Sequence, residues 1–168
     1  MDRVTADATD DVTADVVLLI RDWDDVDGVA LRDAQQREIR ARYGGDTEPG
    51  VKPSAVDISV FLIAYDQVTS TALGCGALRD LGDNTVEVKR MYVHPDHRGR
   101  GIGRRVLAAL ESHALEQGAT RIRLETGRLQ PDAVRLYEAA GYRQIPKFGA
   151  YVESAKSLCF ERVFAVGS

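Results

Sequence analysis

The sequence has few cysteines, no long apolar run and no excess of positive charge. Its two cysteines, Cys75 and Cys159, do not have the spacing of a metal site and favour a reducing compartment. No apolar run is long enough to cross a membrane, and the acidic N-terminus is unlike a secretory signal. The net charge of -4 argues against non-specific nucleic-acid binding. We therefore expect a cytoplasmic protein that binds neither membranes nor nucleic acid.

The 168 residues fit one domain, and neither a repeat nor a linker divides them. We expect a loose acidic tail at 1–13 and a single domain at 14–168. Hydrophobic periodicity predicts strands and helices in alternation. The predicted strands are 14–21, 57–65, 71–79, 86–93, 121–126, 142–145 and 158–163. The predicted helices are 25–43, 102–117 and 131–140. Short connections between the second, third and fourth strands indicate an antiparallel meander within a mixed α/β (α+β) sheet.

The first predicted helix, 25–43, has a thin apolar face, and Gly28 is expected to weaken it. A thin face suits a helix that partly lines a site. The segment that follows, Tyr43 to Pro53, is rich in glycine and proline and is long enough to shape a substrate site.

The stretch from Val86 to Arg104 combines a strand, a turn and a helix start. Side chains alternate from Glu87 to Val93, and His94-Pro95 ends the strand. The sequence Arg98-Gly-Arg-Gly-Ile-Gly-Arg104 then supplies glycines, which let backbone N–H groups approach a ligand, and arginines around a helix N-terminus. This arrangement predicts a site for a polyanion such as a phosphate chain.

The spacing distinguishes three phosphate motifs. A Walker P-loop requires Gly-Lys-Ser/Thr, and a dinucleotide fingerprint requires a glycine where Arg104 stands. The remaining pattern, Arg-x-x-Gly-x-Gly directly after Met-Tyr-Val, resembles the pyrophosphate motif of the GNAT superfamily of N-acetyltransferases. Leu73-Gly-Cys-Gly-Ala-Leu78 and Gln130-Pro-Asp-Ala-Val-Arg-Leu-Tyr-Glu-Ala-Ala-Gly-Tyr142 resemble two further strings of that family. The resemblance covers about residues 61–164.

The resemblance implies a strongly bent, mostly antiparallel sheet with splayed central strands and helices on both faces. It implies acetyl-CoA as co-substrate and no metal. His94 and His97, in a turn without further ligands, are interpreted as a strand exit. By match with the family motifs, the expected acetyl-CoA contacts are Met91, Tyr92, Val93, Arg98, Gly99, Arg100, Gly101, Ile102, Gly103, Arg104, Gln130 and Tyr137. Gln130 stands where the family usually has asparagine. Main-chain groups of Met91 and Val93 are expected to be free for the pantetheine amides.

Acetyl transfer needs a proton for the leaving thiolate, and Tyr137 matches the tyrosine of the family's Leu-Tyr string. A phenol still holds its proton at neutral pH, so Tyr137 is the expected general acid. A packing role is the alternative, because Ala133, Leu136, Tyr137 and Ala140 share one helix face.

The acceptor amine must lose a proton, for which Glu87 is the first candidate base. It stands four residues before Met91, so we expect both on the same side of the strand. An ion pair with Lys89 is the alternative role for Glu87. Glu125, near the end of the next strand, is the rival base, and a water relay to either carboxylate would also serve.

We expect the acceptor to be a small-molecule primary amine. Candidate residues for its pocket are Arg42, Tyr43, Glu125 and Tyr151. Transfer to a protein or peptide amine, or a non-catalytic acyl-CoA-binding module, are the alternatives. A homodimer is consistent with the family resemblance.

Overall fold

A computed structural model of the chain describes residues 15–45 and 48–165, and the predicted tail at 1–13 lies outside them. The strands are β1 (Val16–Ile20), β2 (Ile58–Asp66), β3 (Ala72–Gly82), β4 (Thr85–Val93), β5 (Arg121–Gly127), β6 (Arg143–Ile145) and β7 (Ser157–Val163). The helices are α1 (Val26–Tyr43), α2 (Ile102–Glu116) and α3 (Pro131–Ala139). Single 3₁₀ turns occur at Pro95–His97 and Gly149–Tyr151. The predicted order of elements is confirmed.

The seven strands form one sheet in the order β1-β2-β3-β4-β5-β7-β6. All neighbours are antiparallel except β4 and β5, which are parallel. The meander of β2, β3 and β4 is therefore confirmed. The β4–β5 pairing covers only Thr85 to Val88 of β4. Beyond Val88 the two central strands part, as the expected splay requires.

Helices cover both faces of the sheet. One core cluster joins α2 and α3 to β4 and β5 through residues such as Val106, Leu110 and Leu124. The other cluster places Leu31 of α1 against Phe61 and neighbouring residues of β2 and β3. The mixed, mostly antiparallel α/β fold with helices on both faces is thus confirmed. Within the described residues, no helix combines the length and the apolar character that membrane spanning requires.

Asp25 caps the helix α1. Asp25 accepts the N–H of Asp27 at 3.0 Å, which satisfies one of the free donors of the first turn. Its buried positions are Gly28, Leu31 and Gln35. A Cβ at Gly28 would lie 2.4 Å from Cε1 of Phe61, so glycine allows α1 to lie close to β2. Besides the expected weakening of the helix, Gly28 thus has a packing role that the sequence did not indicate.

A β-bulge interrupts β4 at Arg90 and Met91. Cys75 pairs with Tyr92 and Ala77 pairs with Lys89. Arg90 and Met91 therefore both lie opposite the single residue Gly76. Arg90 adopts a positive φ of 57°. The bulge reverses the alternation of the strand, and this determines which residues can reach the parted strands.

As a result, Met91 packs on the same core cluster as Val86 and Val88, whereas Tyr92 belongs to the cluster beneath α1. Glu87 alternates with Val86 and Val88 and lies on the other face of the sheet. The expectation that Glu87 and Met91 share a side was therefore wrong.

Candidate active site

A cavity of about 120 Å³ lies where β4 and β5 part. Its walls come from α1, the segment after α1, the bulge of β4, the end of β5 and α3. Of the residues predicted for a site, five line it: Tyr43, Met91, Glu125, Gln130 and Tyr137. Glu87, Arg42 and Tyr151 are absent from its lining. Tyr137, the expected acid, and Glu125, the rival base, therefore line the same cavity, and Glu87, the first candidate base, does not.

The turn before α2 is shaped to bind an anion. Gly99 and Gly101 have φ values of 80° and 76°, a region that favours glycine, and Gly101 caps α2 without a side-chain hydrogen bond. The N–H groups of the first turn therefore lack a side-chain cap, at the positive end of the helix. Arg104 is exposed beside them, and Nη1 of Arg100 lies 3.4 Å from Nδ1 of His97. These groups fit the phosphates of acetyl-CoA, the group expected here.

Arg98 contributes differently from its neighbours. Its Nε donates to the main-chain oxygen of Val93 at 2.9 Å, and its Nη2 donates to Glu38 at 2.9 Å. The guanidinium also lies 5.5 Å from the ring centre of Tyr92. The Arg98 side chain therefore joins the end of β4 to α1, and its expected contact with acetyl-CoA stays a prediction.

Two other expected contacts are restricted to the main chain. Ile102 is 1 % exposed and packs with the core cluster that includes Val106, and Tyr92 is 8 % exposed beneath α1. Burial occupies both side chains, so only their backbone groups could contact a ligand.

The main chain of β4 beyond Val88 is only partly free, contrary to expectation. Nε2 of Gln35 donates to the oxygen of Met91 at 2.9 Å, and Arg98 occupies the oxygen of Val93. Carbonyls that have lost a neighbouring strand still require a donor, and these two side chains provide it. The N–H of His94 bonds to Leu73, so ladder alternation directs the N–H of Val93 away from β3 toward the parted side. The N–H of Val93, rather than the oxygens of Met91 and Val93, therefore remains for a ligand.

Tyr137 serves both packing and the cavity. It is 5 % exposed, and its ring lies edge-on to Tyr142 with centroids 6.0 Å apart. Burial first, and then the negative charge of Glu125, raise the pKa of Tyr137 well above its ordinary value. The phenol is therefore protonated at neutral pH and can hold a proton at the cavity wall.

Glu125 faces the same cavity from β5. Burial raises the pKa of its carboxyl, while Ser157 and Lys89 oppose that effect and the charges of Glu48 and Glu87 add to it. A carboxylate with a raised pKa is a stronger base than an exposed one. This geometry makes Glu125 the side chain best suited to accept a proton within the cavity.

Glu87 is held in a buried polar network. It is 2 % exposed and its Oε2 accepts the hydroxyl of Tyr151 at 2.6 Å. Lys89 Nζ lies 3.9 Å from Glu87 and donates to Tyr151 at 2.8 Å, and Arg79 lies 3.7 Å from Glu87. The structure therefore does not support Glu87 as base or Tyr151 as a pocket residue. The predicted association of Glu87 with Lys89 is seen.

Gln130 caps α3 and closes the turn after β5. Its Oε1 accepts from the N–H of Gly127 and from Oγ1 of Thr126, each at 3.0 Å. Since the oxygen is used internally, only the NH₂ group of Gln130 can contact a cofactor from the cavity wall.

Tyr43 and Glu48 both line the cavity and are held by hydrogen bonds. The Tyr43 hydroxyl accepts the N–H of Leu129 at 3.0 Å. Both oxygens of Glu48 accept from Arg90 at 2.8 Å, and Lys89 donates to Glu48 at 3.1 Å. Arg42 instead pairs with Glu38 at 3.3 Å outside the cavity, so its predicted pocket role is not supported.

Sequence reasoning missed Gln35, Glu48 and Arg90 as lining residues. Gln35 had a detectable signal, since it is a polar residue four positions after Leu31 on the buried face of α1. Glu48 falls in the segment that composition had identified as shaping the site. Arg90 gave no signal. The bulge turns it toward Glu48 and breaks the alternation by which side chains of β4 were assigned to the two faces of the sheet.

Neither cysteine lines the cavity. Cys75 is fully buried, and burial raises the pKa of its thiol to about 12, so it is protonated. Cys159 is 1 % exposed in β7. In the described ranges, no group of three or more His, Cys, Asp or Glu side chains is arranged to hold a metal ion.

Comparison with known proteins gives consistent matches. A sequence model described as the acetyltransferase (GNAT) family matches residues 26–142. An IAA acetyltransferase of Azospirillum brasilense is 36 % identical over 142 residues, which cover 79 % of this chain and 92 % of that protein.

Solved structures match over most of the chain. A candidate acyl-CoA N-acyltransferase from Klebsiella pneumoniae superimposes with a TM-score of 0.77 and 27 % identity, covering 89 % of this chain and 98 % of that one. The PaiA N-acetyltransferase of Thermoplasma acidophilum, solved with coenzyme A, has a TM-score of 0.64 and 19 % identity over 88 % and 99 % of the two chains. This second likeness concerns the fold alone.

Proposed function

The chain belongs to the GNAT family of acetyltransferases, and on that premise we propose that it transfers acetyl from acetyl-CoA to the primary amine of a small molecule. One observation carries the proposal: Tyr137 and Glu125 line a single cavity beside the part of β4 that has lost its neighbouring strand. A proton donor, a proton acceptor and free main-chain donors are the three elements that aminolysis of a thioester requires.

The phosphates of acetyl-CoA would bind at the first turn of α2, with Arg100 and Arg104 beside them. The N–H of Val93 and the NH₂ of Gln130 would orient the pantetheine arm along the cavity. Acetyl-CoA supplies the acetyl carbonyl and a thiolate leaving group. The residues of the chain supply orientation and proton transfer.

Glu125 would accept the proton that the amine loses as its nitrogen forms the new bond to carbon. Its raised pKa moves its basicity toward the working pH, which favours this role. Tyr137 would donate a proton to the departing sulfur, and its raised pKa keeps that proton in place until then. Transfer would be direct, because Cys75 and Cys159 lie outside the cavity.

The acceptor end of the cavity favours a small molecule. Tyr43 covers Gly127 so closely that a Cβ there would lie 1.7 Å from the tyrosine hydroxyl, and Arg90 and Lys89 hold Glu48 across from it. A cavity of about 120 Å³ bounded in this way suits a short amine better than a polypeptide segment.

The test is release of free thiol from acetyl-CoA by the purified protein with polyamines, amino acids, aminoglycosides and short peptides, each product identified by mass. We expect an acetylated small amine. Acetylation of peptides alone would replace the proposal with a protein or peptide acetyltransferase. Coenzyme A binding without turnover on any acceptor would favour a non-catalytic acyl-CoA-binding module.

A further inference from the structure

Gln35 carries a buried acceptor that the described residues leave unpaired. The side chain is 9 % exposed, and its Nε2 donates to the main-chain oxygen of Met91 at 2.9 Å. A carbonyl can only accept, so this contact fixes which end of the amide faces Met91. The other end, Oε1, is buried without a hydrogen-bond partner in residues 15–45 and 48–165.

The location of this atom distinguishes it from similar ones. Three buried side-chain atoms lack a hydrogen bond in the described part of the chain: Arg32 Nη1, Gln35 Oε1 and Arg79 Nε, the last of which is nevertheless in an ion pair with Asp57 at 2.9 Å. Of the three residues, Gln35 alone lines the cavity that holds Glu125 and Tyr137. A buried acceptor is costly to leave unsatisfied, so an unpaired one at a binding cavity indicates a donor supplied by the ligand.

We propose that Oε1 of Gln35 accepts an N–H of the acceptor amine and makes the site selective for primary amines. This inference rests on the proposed acetyl transfer. A neutral primary amine has two N–H bonds and one lone pair. One N–H faces Glu125, the other faces Gln35, and the lone pair is left for the acetyl carbon.

The atoms of the step balance with this assignment. The nitrogen–carbon bond forms while the carbon–sulfur bond breaks, one proton passes from nitrogen to Glu125, and Tyr137 gives one proton to sulfur. Proton exchange with solvent resets the two side chains. The second N–H stays on the product amide and keeps its bond to Gln35. A secondary amine has only one N–H, so it leaves either Glu125 or Gln35 without a partner.

The test compares primary amines with their N-methyl analogues on matched variants. The pairs are phenethylamine with N-methylphenethylamine, alanine with N-methylalanine, and putrescine with N,N′-dimethylputrescine. The variants are Gln35→Met, which removes both polar ends, and Gln35→Glu, which keeps an acceptor but loses the donor to Met91. Gln67→Met, an exposed glutamine between β2 and β3, is the control for the substitution itself.

We expect the wild type to favour primary amines by about ten-fold or more in kcat/KM, and Gln35→Met to lose most of that preference. Gln35→Glu should retain it, and Gln67→Met should match the wild type. The dissociation constant of coenzyme A, measured by calorimetry, should stay within about three-fold in all variants. A weaker coenzyme A affinity in Gln35→Met with an unchanged preference would instead assign Oε1 to the pantetheine amides and overturn the proposal.

Two further outcomes are separable. In Gln35→Met and Gln35→Glu, kcat/KM could fall equally for the primary amine and its N-methyl analogue. That result would show that Gln35 only supports Met91, which also overturns the proposal. Absence of acetylation of every primary amine by the wild type would overturn the proposed function itself.

Discussion

Tyr151 donates its hydroxyl to the carboxylate of Glu87 across 2.6 Å, and neither residue lines the cavity. Removing either partner should therefore affect stability more than chemistry. We expect Glu87→Gln and Tyr151→Phe each to lower the free energy of unfolding by about 1–3 kcal/mol, measured by urea denaturation. Their kcat should stay within about five-fold of the wild type. A loss of kcat above 100-fold in Glu87→Gln alone would restore the base role to Glu87.

Glu125→Gln should lower kcat by about 100- to 10,000-fold, because the amide cannot accept the amine proton. Since burial raises the pKa of Glu125, the wild-type kcat/KM should fall on acidification at a higher pH than an exposed glutamate would cause. Initial rates between pH 5 and pH 9 measure this acidic limb of the pH profile, and the limb should be absent in Glu125→Gln. Persistence of the same limb in Glu125→Gln would assign it to another group.

Tyr137→Phe should lower kcat by about 10- to 1,000-fold with little change in coenzyme A affinity. The phenyl ring preserves the edge-on contact with Tyr142, so the melting temperature should change little. Because the pKa of Tyr137 is raised, its ionisation should produce no alkaline loss of activity below pH 10. An unaltered kcat, in conditions where chemistry limits the rate, would leave Tyr137 a packing role.

Arg100→Glu and Arg104→Glu should each raise the dissociation constant of acetyl-CoA by about ten-fold at low salt, and less at high salt. Arg135→Glu, on the exposed side of α3, is the matched control. Arg98→Glu should differ, because it also breaks the bonds to Val93 and Glu38 and should lower the melting temperature. Calorimetric titration at two salt concentrations separates these effects. Unchanged affinity in both cradle variants would contradict the phosphate assignment.

Gly127→Ala should displace Tyr43, because the new Cβ would lie 1.7 Å from its hydroxyl. The tyrosine ring can swing away, so we expect the fold to survive and the bond from Leu129 to be lost. The acceptor KM should change by about five-fold or more while coenzyme A affinity is kept. Tyr43→Phe, which loses the hydroxyl but not the ring, distinguishes loss of the bond from movement of the ring. Identical acceptor kinetics in all three proteins would remove Tyr43 from the acceptor site.

The sequence predicted the order of elements and the glycine-rich turn before α2, because periodicity and glycine placement are local properties. It named Tyr137 and, as the second candidate base, Glu125, which line one cavity, but it placed Glu87 first. Sequence reasoning failed where contacts between distant parts of the chain determine the direction of a side chain or the partner of a main-chain group. The bulge at Arg90 is stabilised by Glu48, more than 40 positions earlier, and it reverses the face of every later residue of β4. The side chains of Gln35 and Arg98 donate to main-chain oxygens of β4 that a regular strand would have left open. The sequence of β4 alone does not reveal these contacts, because the donors come from other parts of the chain.

The proposed phosphate cradle and the cavity are built from different kinds of groups. The proposed cradle before α2 would bind through backbone N–H groups, which most substitutions leave in place, whereas the proposed acceptor site consists of the side chains of Gln35, Tyr43 and Glu48. Random mutagenesis should consequently alter acceptor choice far more often than it abolishes acetyl-CoA binding. A laboratory selection for new acceptors would best begin with saturation of these three codons, with the segment from Arg98 to Arg104 kept constant.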